Sequence, residues 1–217
     1  MQQIKLAIAD DHNIFRNGVR AVLEDIDGFD VVLEASNGAE LIEGLSKKQP
    51  DVILMDIKMP QMNGIQATSF IKKNFGQMKV LALSMYNEDS YILDMMRAGA
   101  SGFLVKSAEP EEIIEAVKTV YERDYYFNGH LSISLIKRLS ATSEQPNIVQ
   151  SKVEFSDREK DILKLVCQEY SNQEIADRVF LSVRTIEGYR LRLFEKTKSK
   201  NLVGLVIFAI KAGIIKV

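Results

Sequence analysis

The sequence has a single cysteine, no long apolar run and no secretion-signal pattern at its start. Cys167 has no partner for a disulfide within the chain, which suits a reducing compartment. No apolar run approaches the ~20 residues that a membrane-spanning helix needs, which argues against an integral membrane protein. The opening stretch MQQIKLAIAD reaches an acid without the apolar core of a signal peptide. These absences predict a cytoplasmic protein without a membrane partner.

The composition is that of an ordinary folded protein with an uneven charge distribution. Of the 217 residues, 46% are hydrophobic and 27% are charged, which excludes wholesale disorder. At about 150 residues per domain, this length fits two small domains. Residues 1–128 contain 13 lysines and arginines against 20 acids, whereas residues 151–217 contain 13 against 9. We therefore expect only the basic second half to meet a polyanion.

The first 125 residues alternate between two hydrophobic periodicities. Five short apolar runs are typical of strands covered on both faces: Gln3–Ala9, Asp30–Glu34, Val52–Met55, Val80–Leu83 and Gly102–Val105. Five segments between and after them have apolar residues at helical spacing: Asn13–Ile26, Gly38–Lys48, Gly64–Asn74, Ser90–Arg97 and Pro110–Tyr121. This order predicts a doubly wound α/β domain with a five-stranded parallel sheet over residues 1–125.

The pattern changes after this domain. Residues 126–152 are rich in Ser, Thr, Asn and Gln, and they predict a linker with a short helix around Leu131–Leu139. From residue 153 onward only helical patterns occur. Two capping boxes, Ser156 with Glu159 and Ser171 with Glu174, each precede an apolar periodic run. Residues 153–217 are therefore expected to form a second, all-α domain of about four short helices.

Polar residues that can carry chemistry stand at the ends of the predicted strands. Asp10 and Asp11 follow the first strand, Asp56 the third, Ser84 the fourth and Lys106 the fifth. Ligands of open parallel sheets bind at the carboxyl ends of the strands. Converging carboxylates favour a hard cation such as Mg²⁺, and a carboxylate can attack phosphorus. A lysine and a hydroxyl can then bind the phosphoryl oxygens.

Taken together, these residues resemble the receiver domain of response regulators, which has a flavodoxin-like fold. The resemblance spans residues 3–122 and rests on the strand-end residues with Met55–Pro60, Asn63-Gly64 and Gly102–Lys106. It implies that Asp56 is the phosphoacceptor, that Ser84 binds the phosphoryl group and that Lys106 forms an ion pair. The implied Mg²⁺ ligands are Asp10 through water, Asp11, Asp56 and the backbone carbonyl of Lys58. Phe103 takes the position of the family's aromatic switch residue, without the hydroxyl of the commoner tyrosine.

The second domain contains a predicted helix-turn-helix. Ser171–Val179 and Ser182–Lys196 form two helices around a short turn, and six of the residues between 184 and 200 are basic while two are acidic. This domain resembles the LuxR-type DNA-binding domain, and the whole chain is similar to the NarL/FixJ class of response regulators. The implied DNA-contact residues are Arg184, Thr185, Glu187, Gly188, Tyr189, Arg190 and Arg192 around the groove, with Lys196, Lys198 and Lys200 toward phosphates. Tyr189 replaces the family's usual histidine, and Lys196-Thr197-Lys198 its usual Lys-Leu-Gly.

The resemblance implies a phosphorylation-controlled transcription factor. A sensor histidine kinase would phosphorylate Asp56, and the altered face of the fourth helix, fifth strand and fifth helix would control binding to double-stranded DNA. The last predicted helix, Asn201–Ala212, is too apolar to be covered fully by a small bundle, which predicts a homodimer in the active state. RNA polymerase is a further candidate partner. The receiver would catalyse only its own phosphorylation and dephosphorylation.

The sequence leaves three alternative functions open. A Mg²⁺-dependent phosphatase with an aspartate nucleophile shares the carboxylate chemistry. Its usual Asp-x-Asp pair follows one strand, whereas Asp56 stands alone after the third strand, and no cap domain is evident. A regulator whose helical domain binds protein instead of DNA is the second alternative. A nucleotide-dependent oxidoreductase is the weakest, because no Gly-x-Gly-x-x-Gly follows the first strand.

Overall fold

The computed structural model describes residues 3–85, 89–126, 153–168 and 170–215. The chain divides into two compact units, Met1–Gly129 and His130–Val217, and each is described by itself. The short helix predicted around Leu131–Leu139 lies outside the described residues. No helix among those that are described is long and apolar enough to cross a membrane.

The first unit is a five-stranded parallel sheet with helices on both faces, as predicted. The strands are β1 (Ile4–Ala9), β2 (Phe29–Ala35), β3 (Val52–Asp56), β4 (Lys79–Ser84) and β5 (Gly102–Val105). The helices are α1 (Asn13–Glu24), α2 (Gly38–Leu45), α3 (Gly64–Asn74), α4 (Asp89–Ala98) and α5 (Pro110–Arg123). The strand order is β2-β1-β3-β4-β5, so the order of connection reverses beside β1. The carboxyl ends of β1 and β3 therefore flank the crevice where such sheets bind ligands.

Alternating strand residues build a core on each face of the sheet. Leu6, Ile8 and Leu54 pack with residues of α1 and α5, such as Leu23 and Val117, in one buried cluster. Strand side chains alternate between the two faces, so residues such as Ile53 and Ala82 point to the face covered by α2, α3 and α4. Strand β3 is buried along its whole length, which explains its unbroken apolar sequence.

The chain stays on the sheet after α5. Asp124 has a left-handed backbone with φ of 70° and ends α5, and the Tyr126 backbone then donates to the Ser101 carbonyl at 3.1 Å. Tyr126 also forms a parallel bridge with Gly102. Tyr126 was predicted to lie in the linker, but it belongs to the first unit. A single bridge residue carries no hydrophobic periodicity by which it could have been recognised.

The second unit contains four described helices: α6 (Asp157–Cys167), α7 (Asn172–Val179), α8 (Val183–Thr197) and α9 (Leu202–Lys211). Both predicted capping boxes are present, at Ser156 and at Ser171. Ser182 caps α8, and Phe180 makes the turn between α7 and α8 with φ of 54°. The core consists of buried apolar residues from all four helices: Ile162, Leu163, Val166, Ile175, Ile186, Leu193 and Leu205. The helix-turn-helix predicted from the sequence is thereby confirmed.

Candidate functional site

The structure brings four residues at the carboxyl ends of β1 and β3 into one cluster. One ligand atom each of Asp10, Asp11, His12 and Asp56 lies within 4.8 Å of the others. The cause is the pairing of β1 with β3, in which Ala9 stands opposite Met55, so that both strands end at the same level. Asp10 and Asp56 are buried, whereas Asp11 and His12 are exposed. The cluster thus has a buried floor and an open rim.

Lys106 supplies the positive charge of the cluster. Its Nζ lies 2.7 Å from Asp10 Oδ2 and 2.7 Å from Asp56 Oδ2, and only 3% of its side chain is exposed. The backbone N–H of Lys106 donates to the Ser84 carbonyl at 2.7 Å, which joins the ends of β4 and β5. Buried charges are tolerated when they are paired in this way. The Lys106 ammonium therefore forms ion pairs with two carboxylates.

The environment of Asp56 opposes ionisation. Burial raises the pKa of Asp56, the hydrogen bond from Lys106 lowers it, and the negative charge of Asp10 raises it again. The net direction is upward. When all of its acids are ionised, the pocket holds more negative than positive charge. A further cation would reduce the repulsion between the carboxylates.

The donor set fits a magnesium ion. Asp10, Asp11 and Asp56 together carry more negative charge than Lys106 neutralises, and their carboxylate oxygens are the ligands that hard cations prefer. Asp11 also lies 2.9 Å from the Nδ1 of His12. The acidic cluster is of the kind that holds Mg²⁺.

Two residues of α1 complete the surroundings of this cluster and were missed in the sequence analysis. Lys106 Nζ lies 4.9 Å from the centre of the Phe15 ring, a distance that suits a cation–π contact. Arg16 Nη1 donates to the Asp10 carbonyl at 2.6 Å, and Arg16 Nε contacts Glu34 at 3.3 Å. The available signal was their position in the first turns of the helix that follows the acids.

The remaining predicted residues of the first unit differ in burial and in position. Ser84 is 9% exposed and directly follows Leu83, the register partner of Asp56. Phe103 is buried in β5. Lys58 is exposed, and its Nζ lies 4.5 Å from the centre of the Tyr91 ring of α4.

In the second unit most of the predicted DNA-contact residues lie at the surface. Gly188 and Tyr189 are half-exposed. The following are exposed: Arg184, Thr185, Glu187, Arg192, Lys196, Lys198 and Lys200. Lys196 is nevertheless engaged within the unit, because its Nζ lies 2.8 Å from Glu159 Oε2. That hydrogen bond lowers the pKa of Glu159.

The expectation that Arg190 contacts DNA around the groove is wrong, because this residue does not lie at the surface of α8. Arg190 is 4% exposed, and its Nη1 donates to Asn172 Oδ1 at 3.1 Å. It stands four residues after Ile186 and three before Leu193, so it belongs to the stripe of α8 that faces α7. Its polarity suggested an outward position, but helical spacing places it inside.

The fold and the site together define a class: a receiver-type α/β domain with a buried acid cluster, followed by a helix-turn-helix domain. Residues 6–118 match the family model described as response regulator receiver domain. Residues 153–209 match the model of bacterial regulatory proteins of the luxR family. The chain belongs to the NarL/FixJ family of two-component response regulators, and it carries a LuxR-type DNA-binding domain.

Relatives of known name agree with this assignment. The oxygen regulatory protein NreC of Staphylococcus carnosus is 36% identical over 211 residues, which are 96% of this chain and 97% of that protein. The receiver domain of the response regulator NarL from Mycobacterium tuberculosis is 32% identical, with a TM-score of 0.54 over 56% of this chain and 98% of that one. RcsB from Salmonella typhimurium is 25% identical, with a TM-score of 0.58 over 95% and 97% of the two chains.

Proposed function

We propose that Asp56 accepts a phosphoryl group from a partner sensor histidine kinase, and that this phosphorylation controls binding of the second domain to DNA. The observation that carries the proposal is the position of the Lys106 ammonium, 2.7 Å from Asp56 Oδ2 in a buried pocket open toward Asp11. A nucleophilic carboxylate and a fixed cation are the two groups that phosphoryl transfer to an aspartate requires. We assign residues 1–125 together with the bridge residue Tyr126 to the receiver, the residues after it up to 152 to the linker, and residues 153–217 to the DNA-binding domain.

The proposed transfer forms one bond and breaks one. A carboxylate oxygen of Asp56 attacks phosphorus, and the bond from phosphorus to the kinase histidine nitrogen breaks and leaves a neutral imidazole. The Lys106 ammonium and the Ser84 hydroxyl donate to two of the phosphoryl oxygens. Mg²⁺ would be held by Asp11, Asp56 and the Lys58 carbonyl, with Asp10 acting through water, and when bound it supplies charge neutralisation for the phosphoryl oxygens. Ser84 moves toward the phosphoryl group, and Phe103 follows it as the switch residue.

Phosphorylation by a small acyl phosphate tests this assignment without knowledge of the kinase. The full chain is incubated with acetyl phosphate and Mg²⁺, and intact-mass measurement counts the phosphoryl groups gained. We expect one group on the wild type and none on Asp56→Asn, with a strong loss for Lys106→Met. Labelling that persists in Asp56→Asn would place the acceptor elsewhere. Steady turnover of a small phosphomonoester by the wild type would instead favour the phosphatase alternative.

The DNA-binding part of the proposal concerns the outer face of α8. Arg184 and Arg192 are exposed there, and Lys198 and Lys200 follow at its end, where they would meet phosphates. RcsB, the relative with 25% identity, has been studied for its interaction with DNA. Affinity for a duplex should fall steeply as salt rises, because phosphate contacts release counterions. A helical domain that binds only protein would show no affinity for DNA.

We assign the dimer contact to α9. Leu205 and Ala209 are buried, whereas four other apolar residues of this helix are only half-buried: Val206, Ile207, Phe208 and Ile210. Phe208 is covered in part by Phe155, with the ring centres 5.9 Å apart. A second copy would cover the remainder on paired half-sites. Sedimentation of the chain with and without beryllofluoride tests this assignment.

RNA polymerase is a further proposed partner. It would contact the complex of the dimer with DNA.

A further inference from the structure

The outward face of α8 contains a short row of three residues: one basic, one glycine and one apolar. Arg184, Gly188 and Leu191 follow one another at spacings of four and three, which places them on one side of a helix. The opposite side carries the buried Ile186 and Leu193. This row, which we call the outer row of α8, is therefore the part of the helix farthest from the core of its own domain.

Leu191 is an exposed apolar residue in the middle of this polar surface. Its side chain is 58% exposed, although apolar side chains of this size are usually buried when a fold can cover them. Its neighbours at spacings of three and four on α8 include Glu187 and Glu195, which are also exposed and carry charge. The described residues of the second unit leave most of the Leu191 side chain uncovered, so this apolar surface is available for an external contact.

Gly188 leaves the centre of the same row without a side chain. Apart from the helix's own backbone, a Cβ at this position would meet only Arg192 Nη1, at an ordinary separation of 3.9 Å. The fold therefore has room for alanine, and glycine inside a helix is less stable than alanine. Glycine at this half-exposed position, where alanine would fit, suits the close approach of another molecule.

Arg192 lies beside this row. Its guanidinium carbon lies 4.4 Å from the centre of the Tyr189 ring, so the charge is stacked to one side of α8. Its Nη1 lies next to Gly188, whereas most of the Leu191 side chain is exposed. Arg184 and Arg192 thus flank an apolar step, and such a pattern fits the floor of a DNA groove with a phosphate backbone on either side.

We propose that the apolar step of Gly188 and Leu191 reads the C5 methyl group of a thymine in the major groove. This inference rests on DNA binding by α8. Among the base-edge groups in the major groove, the thymine methyl is the apolar one, and apolar side chains recognise it by contact. Gly188 lets the helix backbone approach the base pairs closely, and Leu191 covers the methyl group. The two residues specify sequence, while the flanking arginines position the helix.

Replacement of thymine by deoxyuridine tests the proposal, because it removes this methyl group alone. The beryllofluoride-treated full chain first selects a duplex from a random pool, and each thymine of that duplex is then replaced singly. We expect at least one position at which the wild type binds about three- to fivefold more weakly, the factor for losing one buried methyl group. The other thymines are the internal controls.

Three variants connect this effect to the apolar step. Leu191→Ala should bind the thymine and deoxyuridine duplexes equally, whereas Leu191→Met should keep the preference for thymine. Gly188→Ala should weaken binding to the selected duplex while the melting temperature of the protein stays the same or rises. Since both side-chain positions are at the surface, these variants should fold.

Two results would overturn the proposal. One is a wild type that is indifferent to every thymine methyl group, and the other is a full deoxyuridine penalty that survives in Leu191→Ala. If the treated chain selects no duplex at all, the assignment of DNA binding itself fails, and this inference fails with it. The two levels of failure are therefore distinguishable in one series of measurements.

Discussion

The Lys106 ammonium lies 2.7 Å from the Asp56 carboxylate, and the two side chains are 3% and 5% exposed. The same ammonium lies 2.7 Å from Asp10 Oδ2. Asp11 adds a third carboxylate at the rim, so the pocket has fewer positive than negative charges. This imbalance makes the site receptive to a cation, and it also makes the folded protein less stable than its packing alone would allow.

Replacing Asp56 by Asn should stabilise the metal-free protein at neutral pH. The change removes a desolvated charge beside Asp10 and leaves Lys106 paired with Asp10, so we expect a gain of about 1 kcal/mol. Urea denaturation measures the free energy of unfolding, and Asp30→Asn at an exposed position is the control, with an effect within about 0.5 kcal/mol. Mg²⁺ should raise the stability of the wild type more than that of Asp56→Asn. A variant less stable than the wild type would contradict this account of the pocket.

Gly64 and Gly18 should respond oppositely to alanine. A Cβ at Gly64 would lie far closer to the Asp56 carbonyl oxygen than a van der Waals contact allows, whereas a Cβ at Gly18 would meet no atom within 4 Å. Gly64→Ala must displace the end of β3, and we expect a loss of about 1–3 kcal/mol with slower phosphorylation of Asp56. Gly18→Ala, at an exposed position of α1, should raise the free energy of unfolding by about 0.5–1 kcal/mol. Thermal unfolding and labelling with acetyl phosphate measure both effects, and an unimpaired Gly64→Ala would refute the steric argument.

The fold and the convergence of the acids could be predicted because both follow from the order of the elements. Short apolar runs such as Val52–Asp56 are buried on both faces only in a parallel sheet with helices on each side. In such a sheet every strand ends at the same edge, and this brings Asp10 and Asp56 together although 45 other residues separate them. The local sequence pattern and the sheet topology were therefore sufficient to predict the fold and the convergence of the acids.

The sequence pattern did not give the contacts of side chains whose partners come from another helix. Arg190 is polar and was placed outside, but its bond to Asn172 depends on how α7 crosses α8. Lys196 was expected to meet DNA phosphates, yet Glu159 of α6 lies beside it. Hydrophobic periodicity locates the buried stripe of a helix, and it gives no information about which charge will be neutralised within that stripe or beside it.

Because of Lys72, the stability of the protein should change with pH in the alkaline range. Burial lowers its pKa from 10.5 to about 8, and its Nζ donates to the Met78 carbonyl at 2.8 Å. Between these two pH values the unfolded chain holds more protons than the folded one at this site, so the Lys72 contribution to stability rises with pH. Below pH 8 the full cost of burying the charge is present. Lys72→Met should therefore stabilise the protein at about pH 7 by about 1–2 kcal/mol.

The same measurement at higher pH separates this effect from simple packing. The advantage of Lys72→Met over the wild type should shrink between about pH 8 and about pH 10, because the wild-type amine then becomes neutral. Lys73→Met, at the exposed neighbouring position, is the matched control and should differ from the wild type by a constant amount. Urea denaturation across this range gives the free energies. A constant difference for Lys72→Met as well would show that charge burial is not the cause.

Arg184 and Arg190 should differ in how their loss changes DNA binding, because only Arg184 is exposed. Arg184→Ala should reduce the slope of log affinity against log salt by about 1 if it contacts a phosphate, with little effect on unfolding. Arg190→Ala removes the bond to Asn172 and should cost the second domain about 1–3 kcal/mol, while the salt slope of the folded fraction is unchanged. Fluorescence anisotropy on the selected duplex gives the slopes, and thermal unfolding gives the stabilities. A reduced salt slope for a fully stable Arg190→Ala would mean that Arg190 leaves the α7–α8 contact to bind DNA, contrary to its buried position here.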